Sequence, residues 1–105
     1  HCEAIKNLLK YGKIGENYNV GSGNEITNLE LVKNILIVLK TFSLVETTNV
    51  NNYVEFIDDR LGHDKRYSIN SSKIKKLCNW NIKTRFEEGL NLTISSIINS
   101  RKEIA

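Results

Sequence analysis

A chain of 105 residues can bury one modest core, which bounds it to about one domain. Its 40% hydrophobic and 26% charged residues place it among soluble globular proteins, with no apolar run of transmembrane or secretory-signal type. The net charge of +3 is mild, and Lys and Arg are interspersed with carboxylates along the chain, which argues against a nucleic-acid partner.

Between residues 2 and 11, Ile5, Leu8 and Leu9 recur at helical spacing, and Gly12 can end the helix. Residues 17–20 alternate polar and larger groups and read as a short strand, stopped by Gly21-Ser22-Gly23-Asn24. Thr27-Asn28-Leu29-Glu30 has the pattern of a capping box. The helix it opens should bury Val32, Ile35, Leu36 and Leu39 and end near Lys40. Residues 47–52 are polar and read as a surface loop, whereas the aromatic and β-branched content of 53–57 predicts a strand. Beyond a charged loop, residues 66–69 look extended, and Ser71 stands where it would cap a short helix carrying Ile74 and Leu77. A second capping pattern, Thr84-Arg85-Phe86-Glu87, predicts a last helix burying Phe86, Leu90, Ile94, Ile97 and Ile98. The expected fold class is α/β: mixed helices and short strands, with too few strands to complete a sheet.

The most densely charged stretch is Phe56-Ile57-Asp58-Asp59-Arg60-Leu61-Gly62-His63-Asp64-Lys65-Arg66-Tyr67. Two readings fit it. It is a solvated turn, or it is a loop whose side chains converge on an anionic ligand, with Arg60 as a planar donor fork and His63 as a smaller donor. Other chemistry is thin. Gly21-Ser22-Gly23 lacks the third glycine of a dinucleotide fingerprint, because Ile26 stands there, and so reads as a turn. The neighbouring carboxylates Asp58-Asp59 and Glu87-Glu88 point apart in any regular element and make no acid/base dyad. No serine sits in a nucleophile elbow, and no histidine pair has metal spacing. Trp80 is either a core plug or a stacking surface, and burial preference favours the core. Cys2 and Cys78 are too few for a disulfide framework and suit a reducing compartment, hence the cytosol. With no Met, the chain reads as a piece of something longer.

Taken in order, several segments form one pattern. They are His1-Cys2-Glu3-Ala4-Ile5, Gly12-Lys13-Ile14-Gly15-Glu16-Asn17-Tyr18-Asn19-Val20-Gly21, Asn24-Glu25-Ile26-Thr27-Asn28, Asp59-Arg60-Leu61-Gly62-His63-Asp64-Lys65-Arg66-Tyr67, Trp80 and Phe86-Glu87-Glu88-Gly89. The pattern resembles the C-terminal third of the dTDP-glucose 4,6-dehydratases, a family of extended short-chain dehydrogenase/reductases. It runs over nearly the whole chain, and the Asp59 to Tyr67 run is its most specific part. The resemblance implies that residues 1–105 are a single C-terminal substrate-binding lobe. A Rossmann-type N-terminal domain outside this chain would carry the cofactor, NAD. The family oxidises C4 of a nucleotide-activated glucose by hydride transfer to NAD, eliminates water across C5 and C6, and returns the hydride to C6. Its NAD loop, Tyr-x-x-x-Lys pair and Thr-Asp-Glu set have no counterpart here: none of Tyr11, Tyr18, Tyr53 and Tyr67 has Lys four residues on.

The resemblance also implies which residues meet a nucleoside-diphosphate sugar, either dTDP- or UDP-glucose. Asn28 would contact substrate from the start of its helix, whose free N–H groups favour an anion. Arg60 would pair with the diphosphate, and His63 would donate to the diphosphate or ribose. Asp59 would orient Arg60 or the ribose, and Gly62 would let the backbone approach. Leu61 stands where the family has Pro. Cys78-Asn79 replaces the usual Gly before Trp80. The parent would be a homodimer without a membrane or nucleic-acid partner, and the fragment alone would be inactive. Two alternatives stand: the C-terminal lobe of another UDP-sugar epimerase or dehydratase relative, and a non-enzymatic anion-binding module.

Overall fold

The structure, a computed structural model, describes residues 1–102. It contains α1 (Cys2–Tyr11), α2 (Asn28–Thr41), a 3₁₀ turn at Val50–Asn52, α3 (Ser72–Leu77) and α4 (Phe86–Lys102). Among the described residues there is no strand, so the expected α/β class, with its short strands and incomplete sheet, is corrected to an all-helical one.

The reason is a lack of ladder partners. A strand exists only beside another that takes its N–H and C=O groups. Here the Asn17 carbonyl accepts from Lys73 Nζ at 2.7 Å, and both backbone groups of Gly21 are held by the Ser71 hydroxyl. Tyr53 donates its N–H back to the Val50 carbonyl at 2.9 Å, closing the 3₁₀ turn. Phe56 and Ile57 then lie exposed, at 77% and 84%. Their aromatic and β-branched character suits a pleated, half-buried surface, and the described residues offer none for them to join.

The chain divides into two compact units. The first comprises His1–Glu25 and Asp64–Lys83. Ala4 of α1, Ile74 of α3, Cys78 and Trp80 form its core, with Leu8, Tyr18 and Val20 packed against them. Trp80 is therefore the core plug. The Asn7 side chain donates to the carbonyls of Cys78 and Asn79, at 3.0 and 3.3 Å, and so covers the end of α3. Lys73 joins Glu16 at 2.6 Å and lies over the Tyr18 ring, 4.6 Å from its centre.

The second unit comprises, of the described residues, Ile26–His63 and 84–102. Within it α2 packs against α4 and the 3₁₀ turn. Leu36, Val38 and Ile94 are its buried apolar residues among those described, while Val32, Ile35 and Leu39 are half-buried. Ile97, expected inside, is 53% exposed. The helix also begins later than the Thr84 pattern predicts. Gly89 N–H donates to the Arg85 carbonyl at 2.9 Å, so the first helical bond starts from Arg85. No described helix is long and apolar enough to cross a membrane.

Candidate functional site

The charged loop contains a built turn. His63 N–H donates to the Arg60 carbonyl at 3.2 Å, bringing the two ends of Arg60-Leu61-Gly62-His63 together. Gly62, third in the turn, has φ +73°, a conformation that L side chains rarely adopt. A Cβ there would meet nothing within 4 Å, so within the protein the backbone angle, not crowding, calls for glycine. Leu61, second in the turn, projects fully into solvent.

Asp59 and His63 are also paired across this turn, through carboxylate Oδ1 and ring Nδ1. A carboxylate oxygen accepts, so Nδ1 carries the proton in this pair, and Nε2 is an acceptor in the neutral ring and a donor only in the doubly protonated one. The Arg60 guanidinium stays exposed and joins no ion pair among the described residues. The turn therefore offers a charged planar fork at one end and an oriented imidazole at the other. Such a pair suits the oxygens of a phosphate or diphosphate.

Asn28 is the first residue of α2 and is exposed, and no hydrogen bond joins it to the turn among the described residues. The capping box before it is complete. Thr27 Oγ1 accepts from Glu30 N–H at 3.2 Å, and Glu30 Oε2 accepts from Thr27 N–H at 2.8 Å and from its hydroxyl at 2.9 Å. The Thr27 N–H, then its hydroxyl, hold the Glu30 carboxyl below the usual range. The amides of Asn28 and Leu29 have no intrahelical acceptor. A carboxylate already sits at this helix end, however, and it offsets the attraction that the end would otherwise have for a ligand anion.

The glycine stretch at 21–23 does not build a phosphate cradle. Gly21 spends both backbone groups on Ser71, and a Cβ added there would press on Ile69 Cβ at 3.3 Å. Gly21 serves packing, and the chain's residues do not fit a dinucleotide at this loop. Among the described residues no group of three His, Cys, Asp or Glu could hold a metal ion.

Sequence reasoning missed one cluster in the first unit. Glu25 Oε2 accepts from Arg66 Nε at 2.9 Å and meets Nη2 at 2.5 Å, and Oε1 accepts from the Ser68 hydroxyl at 2.5 Å. The Ser68 hydroxyl, then the Arg66 guanidinium, hold the Glu25 carboxyl below the usual range. The partners lie 41 and 43 residues from Glu25 along the chain, too far for a local pattern to reveal them.

The family model described as GDP-mannose 4,6 dehydratase matches residues 1–93. A dTDP-glucose 4,6-dehydratase of Xanthomonas campestris pv. campestris is 39% identical over 95 residues, covering 90% of this chain and 27% of that protein. The enzyme of the same name from Haemophilus influenzae is 39% identical over 97 residues, covering 90% and 29%. That of Escherichia coli is 33% identical over 105 residues, covering 97% and 29%. The chain thus spans 27% to 30% of the length of the curated relatives it matches. No solved structure matches it.

Proposed function

The chain belongs to the GDP-mannose 4,6 dehydratase family, and from that premise we propose that it is the C-terminal nucleotide-sugar-binding part of a dTDP-glucose 4,6-dehydratase. In this reading the whole enzyme is a cytosolic lyase that turns a nucleoside-diphosphate-glucose into its 4-keto-6-deoxy sugar. NAD supplies the hydride acceptor and donor. In this reading an N-terminal domain outside these 105 residues holds it, and the commitment of Gly21 to Ser71 is consistent with that. Residues 1–105 act as one substrate-binding lobe, and by themselves they convert nothing.

The observation that carries the reading is the turn from Asp59 to His63. Arg60 presents its fork to the diphosphate, and Asp59 holds the His63 ring, whose Nε2 donates to a phosphate or ribose oxygen when the ring carries both protons. Leu61 and Gly62 carry the turn between them, and Asn28 contributes an amide from the start of α2. The names of the relatives make dTDP the first nucleotide to test, with UDP beside it.

Calorimetric titration of dTDP and UDP, into the wild-type chain and an Arg60→Ala, His63→Ala double variant, tests this. Binding that the double variant loses is the expected result. Equal binding by both proteins would remove the turn from the site.

A further inference from the structure

The charged run holds two arginines, Arg60 and Arg66, and the structure treats them differently. Arg60 is exposed and in no ion pair among the described residues, whereas Arg66 is gripped through Nε and Nη2 by one oxygen of Glu25. The other oxygen of Glu25 is occupied by Ser68. One carboxylate thus fixes two side chains on either side of Tyr67 and compensates the Arg66 charge. A phosphate reaching Arg66 would have to displace Glu25 and then face that carboxylate unpaired.

We propose that Arg66 is not a phosphate ligand, and that Glu25 is a positioning residue which anchors the downstream end of the binding loop through Arg66 and Ser68. The anchor acts through the chain. Three peptide steps separate Arg66 from His63, so a fixed Arg66 limits the reach of His63 to about 10 Å. Less of the loop then has to be ordered when a ligand arrives, which lowers the entropic cost of binding. The depressed Glu25 carboxyl fits a group that stays ionised in this role. The proposal rests on the reading of Asp59 to His63 as the nucleotide turn.

The two roles for Arg66 predict opposite signs for Glu25. If Glu25 is an anchor, Glu25→Ala and Arg66→Ala in the full-length protein each weaken dTDP binding by a similar factor, about two- to fivefold. The double variant is then no worse than either single one, and the swap Glu25→Arg with Arg66→Glu regains affinity. If Arg66 is a ligand, Arg66→Ala weakens binding while Glu25→Ala leaves it unchanged or tightens it, and the proposal falls. It falls also if no variant changes affinity. Amide hydrogen exchange of residues 64–69, measured without nucleotide, tests the anchor independently. Equal acceleration in both single variants supports it, and unchanged exchange overturns it. A wild-type protein that binds no dTDP overturns the turn as nucleotide site and the positioning role with it; accelerated exchange would then show an anchor of structure only.

Discussion

The Ser71 hydroxyl bridges both backbone groups of Gly21, accepting its N–H at 2.8 Å and donating to its carbonyl at 2.9 Å. Ser71 is 6% exposed, so water cannot readily replace either bond. One side chain thereby does for residue 21 what a neighbouring strand would do in a sheet. Ser71→Ala leaves the half-buried N–H and C=O of Gly21 without this partner and should cost about 1–3 kcal/mol. Urea unfolding should show the midpoint falling with the slope unchanged. A midpoint at the wild-type value would mean that the bridge contributes nothing.

The end of α2 offers a gain in stability. Ser43 N–H donates to the Lys40 carbonyl at 3.0 Å and Leu44 N–H to the Leu39 carbonyl at 3.1 Å, the paired bonds of a Schellman motif. Ser43 occupies the position that glycine usually fills there, at φ 56°. Left-handed backbone costs a non-glycine residue about 1–2 kcal/mol, and glycine recovers part of it against its own greater freedom when unfolded. Ser43→Gly should therefore stabilise the chain by up to about 1 kcal/mol, read as a higher thermal midpoint. A lower midpoint would show that the serine is not strained.

Three glutamates set a dependence on acid. Lys73 holds Glu16, Ser68 and Arg66 hold Glu25, and Thr27 holds Glu30, each carboxyl lying below the usual range. A carboxyl depressed in the fold contributes stability that is complete above its unfolded value and drains as the pH falls through the folded one. Between about pH 7 and about pH 3 the thermal midpoint should therefore fall. The variant Glu16→Gln, Glu25→Gln, Glu30→Gln should start lower at neutral pH and fall less. Parallel curves for the two proteins would assign the acid response to other groups.

What was legible in the sequence was local. Ile5 and Leu8 at helical spacing locate α1, and Thr27 with Glu30 locates the start of α2, because each signal lies within a turn or two of the element it specifies. The same holds for the Asp59 to His63 turn, whose glycine announces its own backbone angle. Strands are not local: the composition of 53–57 suits a sheet, yet whether a sheet is at hand depends on chain elsewhere. Ser71 was expected as a cap and stands at that position, but its hydroxyl answers to Gly21, 50 residues away. The grip of Glu25 on Arg66 is equally remote, so that ion pair left no mark on the pattern.

Leu61 gives the sharpest test of the turn. It precedes a glycine at φ +73° and follows Arg60, whose carbonyl closes the turn with His63 N–H. Proline suits this second position because its ring presets φ, and the Leu61 side chain is fully exposed, so its replacement opens no cavity. Leu61→Pro should stabilise the chain by about 0.4–1 kcal/mol, chiefly by restricting the unfolded state. If Arg60 and His63 grip one ligand from the two ends of the turn, the same change should tighten dTDP binding, since a stiffer turn leaves less to order. Stabilisation with unchanged affinity would separate the two effects and show that the turn is already set before the nucleotide arrives. Destabilisation would mean that the backbone at Leu61 departs from the angle proline requires, and the turn geometry assigned here would fail.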